Sequence, residues 1–198
     1  RTVLEQLFAD SYARIDINEL EITLKSYPII QGGCYKPDPF LANKRKVLTP
    51  KNTDNLCGQT CIALSLMTSK FRERFGRGVH SKKTLAKEVA KIVKILGDDV
   101  LTVEDFKKLG FMHRVIFIDQ NFTAFYDTQP NRVEGVKACR TTYIYFSFDT
   151  NHYSLITNIN SFVNENKNFK WCEVCMQRVV KKRFKMHFCV KPKCGICG

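Results

Sequence analysis

Long hydrophobic runs are missing from this 198-residue sequence. Its most apolar stretches, such as IYFSF and VIFI, fall far short of the roughly 18 residues that cross a bilayer, so no membrane partner is expected. The opening RTVLEQLFAD has no signal-peptide core, which leads to the expectation of an intracellular protein, nuclear or cytoplasmic. Acidic charge is also scarce: 19 Asp plus Glu face 32 Lys plus Arg, a formal net charge of +13. There is no internal repeat and no low-complexity tract. Hydrophobic residues at 44% and aromatics at 12% are enough for a core, which excludes a disordered basic tail as a description of the whole. One main domain with an appendage fits the length. Because the chain opens at Arg1 and closes at Cys197-Gly198, inside what looks like a metal motif, it is expected to be a piece of something longer.

A disulfide lattice is the next absence. Nine cysteines are many for this length, but Cys34, Cys57, Cys61 and Cys139 are scattered, while Cys172, Cys175, Cys189, Cys194 and Cys197 cluster near one end, partly as pairs. That distribution points to a reducing compartment and to zinc. Cys172-x2-Cys175 and Cys194-x2-Cys197 can supply four thiolates to a tetrahedral ion, and His187 and Cys189 between them offer a finger-like alternative. Six candidates therefore stand for four places around one structural Zn2+. The intervening MQRVVKKRFKMH reads as a basic helix with Arg178, Lys181, Lys182, Arg183 and Lys185, suited to nucleic-acid phosphates beside Trp171 and Phe184.

Periodicity sets out the rest. A helix is expected over about 2–15, followed by a strand in ELEITLKSYPII, and residues 31–54 read as an extended connection. A buried helix is expected over about 58–69, an amphipathic one after Ser81 with Leu85, Val89, Ile92, Val93 and Leu96 on one face, and a short one over 102–109 from a capping-box pattern. HRVIFID, NFTAFYD, TTYIYFSF and HYSLITNI read as strands, the last two as a hairpin. Helices first and strands later predict an α+β domain over 1–163, with helices packed on an antiparallel sheet, and a zinc-finger module over 164–198.

One pair of residues suggests nucleophilic chemistry. Cys57, after Asp54-Asn55-Leu56, falls at the amino terminus of the buried helix. There the helix dipole and free N–H groups lower a thiol pKa and form an oxyanion hole. His152 opens the last strand, and a Cys early with a His late is the papain-like order. Each has a plainer reading: Cys57 and Cys61 as small core hydrophobes, His152 as a hairpin residue, and His80 or His113 as the base instead.

The blocks KPDPFLANKRKVLTPKNTDNLC, HYSLITNINSFV and FKWCEVCMQRV, in that order, resemble the amino-terminal region of the protein-primed family B DNA polymerases of Polinton (Maverick) elements and adintoviruses. The polymerase palm is absent. That region in turn resembles OTU-like cysteine proteases, and this implies a papain-like fold with Cys57 as nucleophile, His152 as general base and Asp54 beside the base or the oxyanion hole. The implied substrates are ubiquitin or ubiquitin-like conjugates. Two departures stand out: Ser154 occupies a position where many relatives carry Asp or Asn, leaving Asp54, Asp149 or Asn151 to orient the base, and Gly58 replaces a usual Leu or Phe. The alternative expectation is a non-catalytic DNA- or protein-binding module of the polymerase.

Overall fold

CGQTCIALSL is apolar on every side, and a helix without a polar face has to be surrounded by protein. In the computed structural model, which describes residues 33–44, 46–111, 113–129, 140–164 and 168–187, this segment is helix α1 (Cys57–Leu66), with Cys57 through Ser65 all buried. The expected continuation to Ser69 does not occur. Met67 turns extended and the Thr68 hydroxyl accepts the Phe71 N–H, capping a separate helix α2 (Ser69–Gly76), because a threonine oxygen at a helix start satisfies an otherwise orphaned donor. Ser81 does the same for α3 (Lys82–Leu96), accepting the Thr84 N–H at 3.2 Å. This helix buries Ile92 and Leu96, half-buries Leu85 and Val89, and leaves Lys82, Lys83, Lys87, Lys91 and Lys94 exposed. The short helix expected over 102–109 is a 3-10 helix, Glu104–Leu109, with the Asp105 carboxylate accepting the Thr102 N–H and hydroxyl.

The four expected strands form β2 (His113–Ile118), β3 (Ala124–Asp127), β4 (Arg140–Ser147) and β5 (His152–Ile156), and the segment expected to be a plain connection contributes a fifth, β1 (Val47–Leu48). Their order is β1-β5-β4-β2-β3. The sheet is mixed where a wholly antiparallel one was expected, since β2 and β4 run parallel, His113 opposite Arg140 through Ile118 opposite Tyr145. The physical reason is that β3, antiparallel to β2, returns the chain to the end of the sheet where β2 starts, so β4 sets out in the direction of β2, whereas the short turn between β4 and β5 permits only an antiparallel hairpin.

Alternation along the strands divides the core in two. Val115, Phe117, Ile144, Phe146, Tyr153 and Leu155 pack with α1 and α3. Ile116, Ile118, Tyr145 and Ile156 pack on the other face with Phe122, Phe162 and Trp171. The latter residues come from the β2–β3 turn, helix α4 (Ile159–Val163, capped by Asn158) and the terminal hairpin. That hairpin is β6 (Phe169–Cys172) and β7 (Gln177–Val180). The helix expected over 176–187 is therefore a strand followed by a 3-10 helix, Lys181–Met186. Val179 and Val180 favour extended backbone, and pairing with β6 satisfies it. The hairpin packs on the sheet through the buried Trp171, and the Met176 carbonyl accepts the Ala124 N–H. The helix and strand expected within residues 1–30 lie outside the described residues. Among the described residues, no helix is long and apolar enough to cross a membrane.

Gly58 shows how tightly α1 is set. A Cβ there would stand 2.9 Å from Phe106 Cζ and 3.2 Å from both Leu101 Cδ1 and Tyr153 Cδ2. Gly58→Ala is expected to lower stability by about 1–3 kcal/mol through overpacking, despite its gain in helix propensity. An unchanged or higher urea midpoint would refute this.

Candidate functional site

Cys57 is the first residue of α1, fully buried. Burial pushes its thiol up to about 11, against the smaller opposing influence of the backbone N–H groups of Tyr153, Gly58 and Cys57 itself, which favour a thiolate. At neutral pH it is protonated. Cys61, one turn on and wholly buried, is likewise raised, by burial and then by Cys57. The helix start thus offers donors to sulfur, as the sequence led one to expect, while the aromatic packing that sets α1 in place withholds the solvation an ionised sulfur needs.

His152 opens β5 beside this point, but alternation directs it elsewhere: Tyr153 and Leu155 face α1, while His152 and Ser154 face the segment before it. The imidazole Nδ1 lies 3.1 Å from the Gly33 carbonyl and Nε2 lies 2.9 Å from the Pro50 carbonyl. Tyr35 packs edge-on against the ring, and Ser154 bonds Thr49. Among the described residues no hydrogen bond joins His152 to Cys57 or to Asp54. Burial lowers the His152 pKa, against the opposing pull of the two carbonyls. Asp54 is exposed and serves the turn, its carboxylate accepting the Leu56 N–H at 3.0 Å and the Asn52 amide at 2.9 Å. Asp149 and Asn151, the other candidate orienting groups, lie at the β4–β5 turn, where the Asn151 carbonyl accepts the Gly33 N–H.

The alternative bases sit apart. His80 contacts Phe71 and Phe75. His113 is buried against the Thr142 hydroxyl at 2.8 Å, and burial, then the Arg140 charge, lowers its pKa from 6.5 to about 4. Between these values the unfolded chain binds a proton that the folded chain does not, so stability is intact above pH 6.5 and is lost as pH falls toward 4. The lowered His80 and His152 act in the same direction. The urea midpoint is expected to fall from pH 7 to pH 5, and to fall less in His113→Gln. An equal fall in both would refute the role of His113.

Cys172, Cys175 and His187 converge, with their ligand atoms all within 4.8 Å of one another. Cys175 Sγ and His187 Nε2 are 3.3 Å apart. Cys172 ends β6, the chain turns through Met176 at φ 54°, and β7 leads to His187. Two thiols and an imidazole drawn together in this way form a candidate metal-binding group, and the donor set suits zinc. Cys189, Cys194 and Cys197, the other candidate ligands, lie outside the described residues.

Several partners had no local sequence signal. The carbonyls of Gly33 and Pro50, the Tyr153 N–H at the thiol, and the meeting of Arg72 with Arg140 all join residues distant in the chain. The chain matches no family model, no curated protein and no solved structure at a significant level.

Proposed function

We propose that this chain is a non-catalytic nucleic-acid-docking module of a Polinton-type replication protein, in which the papain-like layout is kept as a scaffold. The observation that carries this reading is the engagement of His152: both ring nitrogens are held by backbone carbonyls, away from a thiol that is itself buried and protonated. A general base must bring an unprotonated nitrogen to the nucleophile's proton, and both nitrogens of His152 face carbonyls and not Cys57. Docking to nucleic acid is supported by the formal charge of +13 and by its placement. Exposed lysines line α3, and Lys181, Lys182 and Arg183 are exposed after β7. Cations grouped in this way bind phosphates by releasing counterions.

Zinc has a structural part in this reading. Cys172, Cys175 and His187, with one of Cys189, Cys194 or Cys197 as a fourth ligand, would hold the ion and thereby the hairpin.

A second reading, the OTU-like protease, draws on the three N–H groups at the Cys57 sulfur. It requires His152 to leave Gly33 and Pro50, turn toward Cys57 and take its thiol proton as the sulfur attacks a glycine-linked carbonyl of ubiquitin or a similar tag. His152 would then pass that proton to the amine released when the C–N bond breaks, with water hydrolysing the thioester. Two measurements separate the readings. Anisotropy titrations of labelled single- and double-stranded oligonucleotides are expected to show binding whose log affinity falls linearly with log salt, and no binding at low salt would refute docking. Incubation with a carboxyl-terminally activated ubiquitin probe is expected to leave the intact mass unchanged. A single adduct that disappears in Cys57→Ala would overturn the non-catalytic reading in favour of the protease.

A further inference from the structure

Arg72 of α2 and Arg140, the first residue of β4, meet at the carboxyl end of α1. Arg72 Nη1 donates to the carbonyls of Ser65 at 3.1 Å and Met67 at 2.6 Å, and Arg140 Nη2 donates to the same Ser65 carbonyl. Two guanidinium cations thus share one acceptor. Among the described residues neither has a carboxylate partner. Arg114, by contrast, sets its Nε 3.0 Å and 3.1 Å from the two Asp127 oxygens. A guanidinium carries five N–H donors, and the carbonyls occupy one nitrogen of each. The Nε and Nη2 of Arg72 and the Nε and Nη1 of Arg140 have no protein partner among the described residues. Like charges this close repel, and the Arg72 pKa is lowered by burial and by Arg140.

Both side chains line a cavity of about 320 Å³, whose polar walls include Thr141, Thr157, Asn158 and Asn160. That volume lies at the small end of ligand sites. Asn160 also lines a second hollow of about 280 Å³, with Lys170, Trp171 and Lys181, so polar and cationic groups continue beyond the first cavity. The carboxyl end of α1 contributes roughly half a negative charge, which two full positive charges outweigh. We propose that the Arg72–Arg140 cavity is a phosphate-binding site that takes a phosphoryl group of a nucleic-acid backbone. Paired forks match the oxygens of a phosphate, and the Thr141 hydroxyl and the asparagine amides supply further contacts. The nucleic-acid source rests on the docking reading above, whereas the phosphate site does not.

The test uses the full chain, calorimetric titration with inorganic phosphate and pyrophosphate, and oligonucleotide anisotropy across a salt series. Phosphate or pyrophosphate is expected to bind the wild type and raise its unfolding midpoint by mass action. The R72Q/R140Q pair is expected to weaken that binding at least tenfold and to reduce the oligonucleotide salt slope by about 1–2. Both arginines also cap α1, so the R72K/R140K pair, which keeps the charges, accompanies it. If far-UV circular dichroism shows the glutamine pair unfolded, a folded lysine pair is expected to bind phosphate several-fold more weakly, because lysine acts as a point charge without the planar fork, and unweakened binding would overturn the proposal. If phosphate binds and oligonucleotides do not, the cavity stands and nucleic-acid docking falls. If oligonucleotides bind wild type and a folded glutamine pair with equal affinity and slope, docking stands and the cavity proposal is overturned. Absence of phosphate, pyrophosphate and oligonucleotide binding to the wild type also overturns it.

Discussion

His152→Ala is expected to destabilise the protein by about 2–4 kcal/mol, the loss of a buried ring together with its hydrogen bond to a backbone carbonyl. The ring is 2% exposed and ties Gly33 and Pro50 to β5. Neighbouring links run the same way: Ser154 bonds Thr49 at 3.1 Å, and the Thr157 N–H donates to the Lys46 carbonyl at 2.8 Å. His152 therefore anchors the segment that precedes α1, and its removal leaves a carbonyl without its donor. A urea titration should show the lower midpoint, and limited proteolysis should cut faster within 33–50. His152→Gln, which keeps an amide donor for one carbonyl, is expected to recover part of the loss. A midpoint and a cleavage rate equal to those of the wild type would show that the histidine is dispensable for the fold. The non-catalytic reading would then lose its main support.

Removal of metal is expected to have the larger consequence. Structural zinc in small Cys/His sites contributes about 10–16 kcal/mol of apparent binding free energy near neutral pH, and an ion held by Cys172, Cys175 and His187 would add such a term to the hairpin. Trp171 is the only tryptophan in the chain, 4% exposed, adjacent to Cys172 and packed edge-on against Tyr143 at 6.1 Å. Chelation should shift its emission to the red, and one equivalent of zinc should restore it. Because Trp171 belongs to the same core as Ile116, Phe122, Tyr145 and Phe162, loss of the ion should also lower the stability of the sheet domain. Cys172→Ser should reproduce the chelated state and no longer respond to zinc. Protein purified without chelator that holds no zinc by elemental analysis, and an emission spectrum indifferent to chelator, would refute the metal centre.

The helices and strands were legible because their patterns are local. The lysine-and-leucine alternation after Ser81 requires a surface helix. The apolar run after Leu56 needs burial on all sides, and TTYIYFSF and HYSLITNI are too β-branched and aromatic for anything but strands. The knuckle was legible for the same reason, since Cys-x2-Cys spacing is a constraint on one turn of chain. Its helix was not. VVKKRF has enough charge at helical spacing to suggest one, and only the ladder with β6 turns its first residues into a strand.

Composition and spacing by themselves determined the α+β class, a buried helix beginning near Cys57, a set of six candidate metal ligands that includes Cys172, Cys175 and His187, and a strong net positive charge. Tertiary structure alone decided the parallel pairing of β2 with β4, the placement of His152 against Gly33 and Pro50, the protonated state of Cys57 and the meeting of Arg72 with Arg140. The division has one physical cause. Periodicity and short spacings act between residues a turn or a strand apart, whereas a pKa, a hydrogen-bond partner or a charge pair depends on which distant backbone and side chains the packed sheet brings within a few ångströms.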